Sequence, residues 1–348
     1  MGELRAALVG LGMVAGTHVR AIGDAKGVAL AGVCARDAAR AEAFAREHGA
    51  PRVYRDVAEI AADEGVDLAV VATPPNARAG IVTTLAEAGK PILMEKPIER
   101  TLDAATGIVE TCERAGVPLG IVLQHRARPS ALELKRLLAE DTLGTLAAVE
   151  INVPWWRPQT YYDEPGRGTY ARDGGGVLIS QAIHAIDLAL HLAAPTQGPV
   201  TRVVAQLATT ALHGMEAEDH ATVGFRMAGG AVGSVVATTA ARPGGTEWIA
   251  LHGARGSAVL RGDTFTLDLA DGTRREIGEG GGTRTGGGAD PMAFTHDWHR
   301  AVIEDFAGVV RKGGTPLAGG RDALAVHRLI DAATRSSAEG RAMQLEDA

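Results

Sequence analysis

The sequence predicts an α/β protein of two domains. A doubly wound parallel sheet comes first, and an α+β domain with an open, mainly antiparallel sheet follows. Up to about residue 123, short apolar runs alternate with amphipathic stretches. That alternation is the mark of a parallel sheet covered on both faces. From Val200 to Ile277, strand-like runs succeed one another through short turns. Short turns make antiparallel neighbours, because a parallel return needs a long crossover. A length of 348 residues also suits two cores better than one. The predicted domains are 1–123 and 124–348.

Taken in order, Ala6–Val9, Val28–Cys34, Leu68–Ala72, Ile92–Met94 and Leu119–Leu123 are the apolar strands of the first domain. Met13–Ile22, Asp37–Glu47, Asp56–Ala62, Ala77–Ala88 and Leu102–Ala115 carry apolar residues at helical spacing between them. In the second domain, helix Ala131–Leu138 precedes a long strand, Leu146–Trp156, then a polar loop and helix Val177–Leu192. Turns at Ala228-Gly229-Gly230, Ala254-Arg255-Gly256 and Ala270-Asp271-Gly272 separate the later strands. Ala231–Ala241 is apolar or small on both faces, so a subunit partner is expected to cover one of them. The stretch Gly280–Gly288 reads as a flexible loop, since no Lys-Ser or Lys-Thr follows and no helix opens after it. Trp298–Val310 and Asp322–Ser336 are helical.

Composition narrows the function. The formal net charge of −7 argues against nucleic acid as a partner. Every apolar run is interrupted before the length of a membrane span, so no membrane partner is expected. The N-terminus reads as a strand without a cleavage signal, and Cys34 and Cys112 form neither a disulfide framework nor a zinc motif. A reducing cytoplasm fits this pattern.

The first strand runs into Gly10-Leu11-Gly12-Met13-Val14-Ala15, a dinucleotide fingerprint. Gly10 makes the turn, Gly12 lets a pyrophosphate touch the backbone, and Ala15 lets helix and strand pack closely. The phosphates would sit at the helix N-terminus beside Met13 and Val14. The first domain is therefore predicted to be a Rossmann domain binding NAD or NADP. The second strand ends Cys34-Ala35-Arg36-Asp37, with alanine where a ribose-holding acid is usual. Ala35 removes the repulsion toward a 2′-phosphate and Arg36 can pair with it, which favours NADP slightly over NAD.

Lys96, in Glu95-Lys96-Pro97, lies at a strand's carboxyl end and so points toward the cofactor crevice; Pro97, through a cis bond, would hold it there. Three glycines, Gly174-Gly175-Gly176, lead a helix bearing Ser180, His184, Asp187 and His191 on one face. They permit close approach to another surface, read as the nicotinamide side of the crevice. Imidazole is the natural base for a hydroxyl proton near neutral pH, which singles out His184. His184, Asp187 and His191 also suggest a metal site, but without cysteine that spacing is common by chance and no metal is expected.

Together, the glycine fingerprint, Ala72-Thr73-Pro74-Pro75-Asn76, Glu95-Lys96-Pro97 and the glycine-led helix with His184 resemble the Gfo/Idh/MocA family over nearly the whole chain. The resemblance implies a Rossmann domain, a C-terminal open-faced sheet for oligomerisation, and NAD(P)-linked oxidation or reduction of a sugar or cyclitol. It makes Lys96 and His184 the catalytic pair and has Thr73, Pro74, Asn76, Glu95 and Lys96 line the cofactor. Many members carry aspartate four residues before the histidine, where this chain has Ser180. The Ser-Gln-x-x-His variant, with Gln181 and His184 toward substrate, resembles a subgroup acting on diverse sugars and nucleotide sugars.

The expected reaction places a secondary alcohol of a sugar, sugar acid or cyclitol against the nicotinamide. His184 removes its proton, and Lys96 steadies the alkoxide while also touching substrate. Trp155, Arg157, Tyr161, Tyr162 and Arg167 cluster in an aromatic-poor chain and are expected to read the substrate, with Arg126, Gln124 and His125 as lesser candidates. His296 and His299 are expected to support the fold. The expected partners are a small polyol or sugar and further copies of the chain, as homodimer or homotetramer. Alternative readings are a redox-assisted glycosidase that keeps NAD bound and a non-catalytic cofactor-binding regulator.

Overall fold

The computed structural model describes residues 2–278, 287–288, 290–292 and 294–345. Six parallel strands form its first sheet: β1 (Leu4–Val9), β2 (Val28–Cys34), β3 (Val53–Tyr54), β4 (Leu68–Val71), β5 (Ile92–Glu95) and β6 (Leu119–Val122). Their order is β3-β2-β1-β4-β5-β6, the doubly wound arrangement whose direction of winding reverses between β1 and β4. β4, β5 and β6 are buried along their whole length, which explains their unbroken apolar sequence. Two-residue β3 is too short to show a periodicity and escaped the sequence reading.

Helices α1 (Ala15–Asp24), α2 (Ala38–His48), α3 (Val57–Ala62), α4 (Arg78–Glu87) and α5 (Leu102–Ala115) connect these strands. Their starts are written in the sequence. Asp37, Asp56 and Thr101 cap α2, α3 and α5 by accepting from Arg40 N, Glu59 N and Ala104 N. Gly49 and Gly116 close α2 and α5 in the left-handed conformation, which lacks a Cβ penalty only in glycine.

The chain then builds a second unit. It contains α6 (Pro129–Ala139), β7 (Leu146–Pro154), α7 (Gln159–Tyr162), and a π-helical turn at Leu178–Ala182 that runs into α8 (Ile183–Gln197). Seven strands follow: β8 (Val200–Ala208), β9 (His220–Met227), β10 (Val232–Thr238), β11 (Trp248–Gly253), β12 (Gly256–Arg261), β13 (Thr264–Leu269) and β14 (Arg274–Ile277). After them come α9 (Asp297–Lys312), α10 (Gly320–Glu339) and β15 (Met343–Gln344). The second sheet runs β14-β13-β12-β11-β7-β10-β9-β8-β15. β10 pairs parallel with β7, and the other neighbours are antiparallel. Val204, Val232 and Val236 are 49%, 46% and 40% exposed on one face of this sheet. Their cross-strand partners Gly224, Arg226 and Thr222 share that face. Except for Gly287 and Gly288, the Gly280–Gly288 stretch lies outside the described residues.

Two expectations need correction. The chain divides into Met1–Ala127 with His296–Leu324, and Arg128–Thr295 with Ala325–Ala348, so the second domain is not the continuous 124–348. α9 belongs with the first unit because Val302, Ile303, Phe306 and Ala307 share the core of β1, β4 and α1. A Cβ at Gly120 of β6 would lie 2.7 Å from the Phe306 ring, and Ile121 N donates to Ala318 O at 2.8 Å. Secondly, one helix, Leu178–Gln197, is long and apolar enough by length and composition to cross a membrane. It has 20 residues, and 78% of its most apolar window is buried inside the protein. The π turn and α8 are continuous, so Asp187 interrupts the apolar run without ending the helix.

Candidate functional site

In the first unit the carboxyl ends of β1, β4 and β5 carry the motif residues. Gly10 turns with φ +96°, and a Cβ there would stand 2.7 Å from Thr73 N. Only glycine allows the fingerprint turn to lie so close to the loop after β4. A Cβ at Gly12 would meet nothing nearer than Ala72 O at 4.0 Å, which leaves backbone open to a ligand. α1 starts at Ala15 with Val14 as its cap and no side chain closing its first turn, so its N–H groups and dipole suit phosphate. The Thr73 hydroxyl is buried and has no partner among the described residues. A dinucleotide's pyrophosphate and ribose supply the acceptors and donors this cradle lacks, so the residues fit the cofactor.

Ala35 is half-buried and Arg36 exposed beyond β2. Asp37 spends its carboxylate on the cap of α2. Arg40, one turn on, donates from Nη2 to Leu11 O in the fingerprint at 2.7 Å. Met13 is 48% exposed at the mouth of the turn, and Pro74 and Asn76 are exposed beside Thr73.

Lys96 is half-buried and its bond to Pro97 is cis, as the sequence reading expected. Behind it lies a cluster that the sequence reading did not find. His18 of α1 donates from Nε2 to Glu95 Oε1 at 2.8 Å, and His299 Nε2 of α9 lies 3.7 Å from the same oxygen. The two imidazoles meet edge to face at 5.3 Å. Burial alone would raise the Glu95 carboxyl, but the His18 hydrogen bond and the charges of His18, His299 and Lys96 hold it at about 2. Burial, reinforced by His18, pushes the His299 imidazole down to about 3. These three ligand atoms lie within 4.8 Å of one another. Because Glu95 already accepts from His18, we read the group as a hydrogen-bonded acid rather than a metal centre.

Arg78 is the second group missed. It is 2% exposed and donates from Nε and Nη2 to Thr73 O at 3.0 and 2.7 Å. Its Nη1 donates to the carbonyls of Glu95 and Pro97. One guanidinium thus ties the loop after β4 to the turn that carries Lys96. Burial lowers its pKa to about 10, opposed by Glu95 and Glu99. Arg126 ion-pairs with Asp322 and donates to Leu317 O, so it fastens the start of α10 instead of facing substrate.

In the second unit, Glu218 builds the start of the His184 helix. Its carboxylate accepts from Gly176 N at 3.0 Å and Leu178 N at 3.1 Å, while its carbonyl accepts from Val177 N at 2.8 Å. A Cβ on Gly176 would lie 1.8 Å from that carbonyl oxygen. The surface that Gly176 approaches within its own unit is therefore Glu218. Burial raises the Glu218 carboxyl against those N–H bonds.

The π turn also changes the phase assumed for Ser180, His184, Asp187 and His191. His184 and Asp187 are buried, Ser180 is half-buried, and His191 lies 2.9 Å from Lys135 Nζ. The single metal-spaced group of three among the described residues is the Glu95 cluster, not this set.

The predicted substrate readers divide. Trp155 and Tyr162 are 6% and 7% exposed, and they bond Glu247 and Thr239 at 3.2 and 2.6 Å. Their rings are committed to packing: Trp155, just past the end of β7, is buried, and Tyr162 meets His213 at a tilt, centroids 5.0 Å apart. Tyr161 is different. Its hydroxyl accepts from Arg167 Nη1 at 3.1 Å and Gln181 Nε2 at 3.4 Å. Arg157 stands over its ring, Cζ 5.6 Å from the centroid. Gln124 and His125 are buried in the first unit, with His125 edge-on to Trp298. His296 bonds Asp24 at 2.7 Å, a structural role as expected.

Known proteins match this chain closely in extent. Residues 4–122 match a family model described as an oxidoreductase family with an NAD-binding Rossmann fold. Residues 131–259 match one described as the GFO/IDH/MocA C-terminal domain. The D-apiose dehydrogenase of Paraburkholderia graminis is 29% identical, over 99% of this chain and 90% of its own. The inositol 2-dehydrogenase of Rhizobium meliloti is 26% identical, over 98% of this chain and 99% of its own. The crystal structure of the WlbA dehydrogenase from Chromobacterium violaceum, in complex with NADH and UDP-GlcNAcA, superposes with a TM-score of 0.84. It is 29% identical and covers 99% of this chain and 97% of that one.

Proposed function

The chain belongs to the Gfo/Idh/MocA family of NAD(P)-dependent oxidoreductases acting on CH–OH groups, and from that premise we propose the following reaction. The protein transfers hydride between a nicotinamide cofactor and a secondary alcohol of a sugar, sugar acid or cyclitol. The observation that carries this reading is the cradle of Gly10, Gly12 and the buried Thr73 hydroxyl, without a partner among the described residues, at the switch point of the first sheet. The names of the relatives support it, since D-apiose and inositol dehydrogenases are named for a sugar and a cyclitol.

When bound, the cofactor supplies the hydride-accepting or hydride-donating ring. Gly10, Gly12, Met13 and Val14 hold its phosphates, and Thr73, Pro74, Asn76 and Glu95 line it. NADP is favoured over NAD because Ala35 offers no carboxylate, Asp37 is engaged in capping, and Arg36 is exposed to meet a 2′-phosphate. His184 takes the hydroxyl proton in oxidation and returns it in reduction. Lys96 steadies the negative charge that develops on the substrate oxygen. Arg157, Tyr161 and Gln181 read the rest of the substrate. The exposed face of Val204, Val232 and Val236 is where further copies of the chain would cover the second sheet, giving a dimer or tetramer in the cytoplasm.

The test is a panel of sugars, sugar acids and cyclitols assayed with NADP and NAD by the absorbance of the reduced cofactor. Lys96→Ala should lower turnover by about 100-fold or more while cofactor binding persists. Near-normal turnover in that variant removes Lys96 from the mechanism, and no turnover with any polyol refutes the reading.

A further inference from the structure

The other buried arginine among the described residues of this second unit is matched by acid: Arg128 lies 2.9 Å from Glu247 with both side chains buried. Arg157 is the exception. It is 2% exposed, and among the described residues no carboxylate stands in ion-pair contact with it. Its Nη1 donates to the carbonyls of Trp156 and Gly288, at 2.9 and 2.5 Å. Its Nε is buried without a partner among the described residues. Burial pushes its pKa down, opposed by Tyr161, Tyr162 and Asp290, with Tyr161 also hydrogen-bonding it; the Trp155 and Tyr161 rings lie 5.3 and 5.6 Å from its Cζ. A buried cation with an unpartnered Nε and no ion pair among the described residues is costly, and an anion that joined it would offset that cost.

A second observation lies on the other side of Tyr161. Gln181 is 4% exposed, and its Oε1 is buried with no partner among the described residues while its Nε2 donates to the Tyr161 hydroxyl at 3.4 Å. Arg167 donates to the same hydroxyl, but Glu164 already neutralises it. Tyr161 therefore links a cation without an ion pair to an acceptor without a partner, both among the described residues, and the acceptor lies three residues before His184.

We infer that the substrate is a carboxylate-bearing sugar, its acid group received by Arg157 and one of its hydroxyls donating to Gln181 Oε1. The inference rests on the dehydrogenase reading and narrows it to acidic sugars. A neutral sugar leaves Arg157 uncompensated, whereas a carboxylate forms a charge-assisted pair with a guanidinium.

The experiment compares uronic and aldonic acids with the matching neutral sugars and sugar phosphates, measuring kcat and KM with cofactor present and binding by calorimetry. An acid should exceed its neutral counterpart by about 10-fold or more in kcat/KM. Arg157→Gln should remove most of that preference through KM, and Arg157→Lys should retain part of it. Both variants must keep the wild-type circular dichroism. Equal use of acid and neutral sugar, with hydride transfer intact, overturns the inference and leaves the dehydrogenase reading standing. A preference for the phosphates overturns it as well. If nothing is turned over, the dehydrogenase reading fails. Calorimetry then decides the inference alone: acid binding abolished in Arg157→Gln supports it, and no acid binding overturns it.

Discussion

Replacing Arg78 by methionine tests whether one buried guanidinium holds the loop after β4 to the Lys96 turn. Methionine keeps the aliphatic stem but leaves the carbonyls of Thr73, Glu95 and Pro97 without this donor. A hydrogen bond from a charged donor contributes about 1.5–3 kcal/mol. Three such acceptors set an upper range, and relief of the buried charge offsets part of it. The net loss should be about 3–5 kcal/mol, as when one member of a buried charged network is removed. At about 3 °C per kcal/mol for a unit of this size, the first melting transition should fall by about 9–15 °C. Arg78→Lys, whose ammonium cannot span all three carbonyls, should lose an intermediate amount. Scanning calorimetry measures the transition, and cofactor titration measures the loop. A methionine variant that melts within about 2 °C of the wild type and binds cofactor normally would refute the reasoning.

The first unit should lose stability in acid, in two stages. His299 stays neutral down to about 3 when folded but takes a proton below its ordinary 6.5 when unfolded, so the unfolded chain binds more protons as pH falls. Glu95, held at about 2 against an ordinary 4.5, adds its loss below 4.5. Melting temperature should therefore decline from about pH 6.5 downward, and His299→Gln should flatten the upper part of that decline. A wild type whose melting temperature is constant between about pH 6.5 and 5 argues against the buried neutral imidazole. Gly176→Ala, with a Cβ 1.8 Å from Glu218 O, should cost more than about 3 kcal/mol and displace the His184 helix. Gly214→Ala, whose Cβ meets nothing nearer than 3.8 Å, is the control, and equal melting of the two variants would contradict the steric account.

Much of the fold was legible because local and tertiary preferences agree. The strand Val28–Cys34 and the helix Leu102–Ala115 were read to the residue from their apolar period, and in the structure a Thr101 cap and a closing Gly116 fall at the ends of that helix. The glycine fingerprint was legible for the same reason: its spacing is a backbone requirement. What escaped was long-range. Nothing near Arg78 in the chain says that the first residue of α4 turns inward to the carbonyls of a strand end. His18 and His299 meet Glu95 from helices far apart in sequence, so neither histidine carried a local signal beyond its own polarity. The glycines before α8 were seen, but a close approach names no neighbour until the fold supplies Glu218 for Gly176. The aromatic cluster was a compositional inference, and burial sorts it: Trp155 and Tyr162 serve packing, while Tyr161 keeps polar partners.

The return of His296–Leu324 to the first unit has a consequence for synthesis. A nascent chain can pair β1 through β6 early on the ribosome, yet the groove filled by Val302, Ile303 and Phe306 stays open. It closes only after the whole of 128–295 has been translated. Through that interval the growing polypeptide carries an unfinished apolar seam along β6, and whatever shields it from neighbouring chains determines the yield of native protein.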